Sequence, residues 1–239
     1  MRMSPKLRKL AVGAVALFLA FGFTSARAFN GPAACMFLGL ADLHELPDGS
    51  LTDTSSPEEQ DRYVRLTFES RERIANTFGE PTARPVLVYF SRPDGFGPFK
   101  LNAFGSTQFI GPRACVMIGP KGQNIDVVAH ELMHAEIHER AGYWNRFMHI
   151  PTWFDEGLAM QVDYRPQYVL AAEDEHAKDA VRQLTSFSSF FNGGEKVVVS
   201  NYAKARAIVA EWVTKVGKGS VYSRLHQLRA GESFEEAIQ

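Results

Sequence analysis

His130-Glu131-Leu132-Met133-His134, followed downstream by Trp153-Phe154-Asp155-Glu156-Gly157, is the stretch on which the reading of this chain turns. On a helix, residues four apart differ by about 40° around the axis and about 6 Å along it. His130 and His134 therefore project from one face and can share one divalent ion. Glu131 lies beside them, placed to act on a water at the ion and not to ligate it. A catalytic zinc keeps three protein ligands and one open position. Glu156, on what reads as a second helix, completes a ligand set of His130, His134 and Glu156. A solvated helix with two surface histidines would give the same five-residue pattern, and the flanks decide against it. Ile125, Val127, Val128, Ala129, Leu132 and Met133 make this helix apolar nearly all round, which predicts burial. Two histidines and a glutamate buried without partners would be costly.

The neighbouring segments supply a scaffold. Ser56-Pro57-Glu58-Glu59 is a helix start, with a serine cap, a proline at the first position and acids in the first turn; the helix is predicted to run to about Phe78 and stop at Gly79. Pro85 to Phe90 reads as a short buried strand, and residues 92–105 as a Gly-, Pro- and Phe-rich loop. Two more strands are predicted near Thr107–Ile110 and Ala114–Ile118, separated by Gly111-Pro112. Such a pair beside the histidine helix points to an edge strand onto which an extended peptide could add. Gly119-Pro120-Lys121-Gly122 breaks the chain before the histidine helix, set at about Asn124 to Ala141, and Gly142–Ile150 reads as a loop before Pro151 opens the Glu156 helix. Tyr202 to Val216 carries a strong helical period, Val221 to Leu228 another, and Ser233-Phe234-Glu235-Glu236 is a capping box. The expected fold is α+β: a small mixed sheet packed against the histidine helix, followed by a C-terminal helical bundle.

Residues 1–28 have the pattern of an export leader. Arg2, Lys6, Arg8 and Lys9 precede an uncharged apolar run from Leu10 to Phe23, and Ala26-Arg27-Ala28 offers small residues at a cleavage site. Fourteen apolar residues fall short of the roughly twenty needed to span a bilayer, so cleavage after Ala28 is expected, with a periplasmic or secreted product. Residues 29–56 then read as an irregular N-terminal segment and 57–239 as the functional domain. Without the leader, 21 Lys and Arg stand against 27 Asp and Glu, a formal charge of −6. No basic cluster remains for nucleic acid. Cys35 and Cys115 are an even pair in a compartment where disulfides persist. A bridge would close a loop of about 80 residues, worth about 4–5 kcal/mol by chain entropy; two separate buried thiols are the alternative.

The ligand motif, with Trp153-Phe154-Asp155-Glu156-Gly157-Leu158-Ala159, resembles the gluzincin metallopeptidases of the thermolysin and aminopeptidase N clan, and above all their small peptidase-MA-like domains. The resemblance covers roughly residues 84–238. It implies one Zn²⁺ per chain held by His130, His134 and Glu156, Glu131 as general base, and a peptide or protein substrate. Tyr202-Ala203-Lys204-Ala205 is similar to the Tyr-x-Lys-Gly element whose tyrosine, at a helix start, stabilises the oxyanion, with Ala205 in place of the glycine. The Gly-x-Met-Glu-Asn element that holds a free N-terminus is absent, which favours an endopeptidase. Met160 stands where thermolysin-like enzymes carry an aspartate, leaving the partner of one zinc histidine unassigned. A metzincin reading would need glycine at Ile137 and histidine at Arg140. Two rivals are a zinc hydrolase of another amide or ester and a silent peptide-binding domain of the same fold. His138, His149, Tyr143, Tyr164 and Asp155 are secondary candidates, read mainly as packing, surface or supporting residues.

Overall fold

The computed structural model describes residues 30–92 and 101–239. The expected leader and part of the Gly/Pro/Phe-rich loop lie outside the described residues. The chain is mixed α+β, with one five-stranded mixed sheet and a majority of helix.

The sheet comprises β1 (His44–Glu45), β2 (Leu51–Thr52), β3 (Val86–Tyr89), β4 (Gly105–Ile110) and β5 (Arg113–Ile118), in the order β1-β2-β3-β5-β4. β2, β3 and β5 run parallel; β1 and β4 are antiparallel edges. The alternation of side chains sorts the sheet's two faces. Leu87, Tyr89, Ala114, Val116 and Ile118 enter the main core with Val128, Leu132 and Met133 of α3 (Ile125–Ala141). Val88, Phe90, Cys115 and Met117 point to the other face, into a smaller cluster with Ala34, Cys35 and Leu38.

The second cluster corrects the irregular reading of residues 29–56. That segment forms a helix, α1 (Asn30–Met36), a 3₁₀ turn at Leu38–Leu40 and the β1–β2 hairpin, and it covers the back of the sheet. Cys35 and Cys115 are joined by a disulfide spanning 80 residues of sequence. Both sulfurs lie on the face away from α3, so the bridge fastens the N-terminal segment without touching the histidines. The Cys35→Ser/Cys115→Ser variant is expected to melt about 10 °C lower, from the loop entropy released, with zinc content unchanged; equal melting curves would show that the bridge does not hold the segment in place.

α2 (Pro57–Phe78) forms as its sequence predicts: the Ser56 hydroxyl accepts from the Glu59 N–H, Pro57 sits at the first position and Gly79 ends the helix at φ 100°. It packs along α3. Fully buried Glu136 of α3 accepts from the Thr82 and Ala83 N–H groups at 3.0 and 2.7 Å and pairs with Arg140, which fixes the approach to β3. The segment read as the loop Gly142–Ile150 is instead a helix, α4 (Tyr143–His149). α5 (Thr152–Ala159) follows Pro151, and α6 (Phe187–Phe190) precedes α7 (Glu195–Val216), α8 (Val221–Ala230) and α9 (Phe234–Ala237). α9 carries its expected capping box on Ser233 and Glu236. α7 packs on α5, and α8 on α3, so the C-terminal helices are built around the two elements that bear the ligand motif.

Candidate metal centre

Asn124 starts α3 by accepting from the Val127 N–H at 3.1 Å. His130, Glu131 and His134 then fall on the side of α3 that meets α5 and β4. Gly157 permits the meeting of α5 with α7: a Cβ there would lie 2.6 Å from both the Ala205 carbonyl oxygen and Val209 Cγ2. The Gln161 amide donates to the Gly157 and Arg206 carbonyls at 2.8 and 3.0 Å and staples the two helices. This contact carries Tyr202 to the cluster, its ring centroid 6.1 Å from that of His130. Tyr202 lies inside α7, not at a helix start as the resemblance implied, because α7 begins at Glu195.

The structure brings His130, His134 and Glu156 together, each less than a tenth exposed, as a buried group able to hold a metal ion. The two Nε2 atoms are 3.1 Å apart, and Glu156 Oε2 lies 3.4 Å from each. Ligands 2.0–2.1 Å from a tetrahedral ion are separated by about 3.3–3.4 Å, so the triangle has the size zinc needs. Its chemistry fits as well. Glu156 Oε2 is buried with no hydrogen bond, and converging buried acceptors are costly unless a cation lies among them. Burial pushes the Glu156 carboxyl up, but His134 and then His130 outweigh it and hold the group well below the usual range. Burial likewise pushes His134 down, while Asp155 and Glu156 together raise it well above the ordinary value. The field at the centre is strongly cation-seeking.

A carboxylate stands behind each histidine. Asp155 Oδ2 is 3.2 Å from His134 Nδ1, and Asp163 Oδ2 is 3.7 Å from His130 Nδ1. Neither Nδ1 makes a well-directed hydrogen bond, so both contacts act by charge. Each carboxylate is gripped by an arginine, Asp155 by Arg146 and Asp163 by Arg165, the latter through two guanidinium nitrogens at 3.0 and 2.5 Å. Carboxylates so placed orient ligand rings and raise their basicity. Asp163, and not position 160, supplies the acid nearest His130 Nδ1. Its only sequence signal is an acid just beyond the apolar Leu158–Met160 run, and no spacing rule ties it to His130.

Edge strand β4 passes directly over Glu131. The Thr107 hydroxyl lies 2.6 Å from Glu131 Oε2 and 2.9 Å from its carbonyl oxygen, sharing one proton between them. A Cβ at Gly105 would stand 2.8 Å from Glu131 Cγ and 2.9 Å from Oε1, so the glycine leaves the carboxylate its room. Neither contact was foreseen from sequence. Tyr202 is partly buried, and burial first, then Glu156 and Glu131, raises its pKa well above the ordinary value. Its hydroxyl stays protonated and is a donor.

Of the secondary candidates, Asp155 stands at the centre behind His134, and the others lie elsewhere. His138 is buried one turn beyond His134, with Nε2 3.1 Å from the Gly111 carbonyl and its ring against Phe109 and Tyr143. His149 is exposed at the end of α4. Tyr164 is exposed under the Arg73 guanidinium. By comparison with known proteins, no family model, curated protein or solved structure matches this chain.

Proposed function

We propose that this chain is an exported zinc metallopeptidase of the gluzincin kind, an endopeptidase, with one zinc on His130, His134 and Glu156. The ligand-sized triangle of Nε2, Nε2 and Oε2 atoms carries the reading, because it stands beside Glu131, a buried carboxylate the triangle does not use. Zinc bound there would supply a Lewis acid for the scissile carbonyl and a water of lowered pKa. Glu131, oriented by the Thr107 hydroxyl, would be the group that accepts a proton from the attacking water and returns it to the leaving amine. Tyr202 donates to the developing oxyanion. β4, antiparallel and at the sheet edge, offers backbone groups along which an extended substrate can pair. No helix among the described residues is long and apolar enough to cross a membrane. The general base supports a hydrolase over a silent binding domain, and the edge strand supports a peptide substrate over another amide or ester.

Metal analysis of the purified mature chain, paired with digestion of a proteome-derived peptide library, tests the reading. About one zinc per chain and metal-dependent cleavage within peptides are expected; a metal-replete chain that cuts no peptide would defeat it. Tyr202→Phe keeps the ring and removes only the donor. Zinc content and melting temperature near wild type are expected, with kcat lower by about 10²-fold and KM little changed. An unchanged kcat would return Tyr202 to packing.

A further inference from the structure

α4 turns its large apolar side chains outward: Trp144, Phe147 and Met148 are all exposed. Its inward anchor is a cation. The Arg146 side chain is only 15% exposed, its Nη2 donates to Asp155 Oδ2, and its Nε is buried with no partner. A helix held only for packing would place an apolar residue inward, since a guanidinium buried with an N–H unpaired is costly. The Cζ of the same guanidinium lies over the Phe109 ring, 3.6 Å from its centroid, in the edge strand β4. One side chain therefore touches both the carboxylate behind His134 and the strand that passes over Glu131.

We propose that Arg146 is a positioning residue for the metal centre, holding Asp155 against His134 on one side and bearing on β4 through Phe109 on the other. The inference rests on the metal-centre reading above and extends it: metal affinity depends on Arg146 and on Phe109, neither of which ligates. Arg146 fixes Asp155, Asp155 fixes the His134 ring, and the strand fixes Arg146 by stacking, a geometry a planar guanidinium fits and an ammonium does not. Edge-strand placement and metal grip are thereby one mechanical unit.

The test measures zinc affinity of the mature chain by chelator competition, together with the visible absorption of the Co²⁺-loaded chain, which reports ligand geometry directly. Arg146→Met is expected to weaken zinc by about 10- to 100-fold, the usual effect of losing a residue that supports a ligand, and to shift the cobalt bands. Asp155→Asn should do the same, and the double variant should be no weaker than Asp155→Asn alone, because both act along one path. Arg146→Lys should recover part of the loss. Phe109→Leu leaves every charge in place and should lower affinity in the same direction by a smaller factor. Wild-type affinity and an unshifted cobalt spectrum in Arg146→Met would overturn the proposal, as would losses that multiply in the double variant. Unchanged affinity in Phe109→Leu would remove its strand half. A wild-type chain that binds no zinc defeats the metal-centre reading instead, whereas a zinc-binding wild type beside an unaffected Arg146→Met defeats this inference alone.

Discussion

On the proposed reading, Glu131→Gln is expected to lose peptide hydrolysis by about 10³-fold or more and to keep its zinc and its melting temperature. The magnitude follows from the work a general base does, about 10²–10⁴ on its own, where no second carboxylate can replace it: Glu156 is committed to the ligand triangle, and Asp155 and Asp163 to the histidines' far nitrogens. The structure also says why the fold survives. The Thr107 hydroxyl donates to Glu131 Oε2 at 2.6 Å, and a glutamine oxygen can accept the same bond. Steady-state cleavage of an internally quenched peptide, with zinc content measured on the same sample, checks it. Turnover within tenfold of wild type would remove Glu131 from the chemistry.

Glu156→Ala is expected to abolish metal binding at the proposed centre. Two imidazoles remain, and the site falls below the three protein ligands a catalytic zinc requires, so metal content after dialysis against chelator drops from about one per chain to near zero. His130→Ala and His134→Ala should do likewise. A second readout guards against a simple folding defect. Zinc that binds only the folded chain stabilises it by about 4 kcal/mol at a thousandfold excess over Kd, so added zinc raises the wild-type melting temperature. The Glu156→Ala curve should not move. Full zinc retention by this variant would sink Glu156 as third ligand.

Local rules made the long elements readable. α2 is bounded by Ser56, Pro57 and Gly79, and α3 by Asn124 and Gly142, residues whose capping chemistry acts over three or four positions. Strands β3, β4 and β5 lay within two residues of their predicted places. The misses share a cause. α1 and β2 are held by a disulfide and by pairing to residues far along the chain, β1 rests only on β2, and two residues carry no period. α4 hides because its apolar residues face solvent, which inverts the pattern from which a helix is read. α7 begins at Glu195, seven residues before Tyr202, through a run of three valines whose β-branching masks the helix. At the site, His130, His134 and Glu131 follow from a spacing of four. Thr107, Asp163 and Arg146 reach it only because β4, the turn after α5 and α4 converge in space.

An edge strand has a neighbour on one side only, and its pairing can slip by a residue more readily than a central strand's. A slip of β4 along β5 would bring Phe104 or Ser106 to the place of Gly105, where a Cβ would stand 2.8 Å from Glu131 Cγ. Neither side chain fits there, and Thr107 would leave the carboxylate at the same time. The glycine thus couples the register of β4 to the carboxylate: the pairing of Gly105 with Ile118 is the one that leaves Glu131 its room.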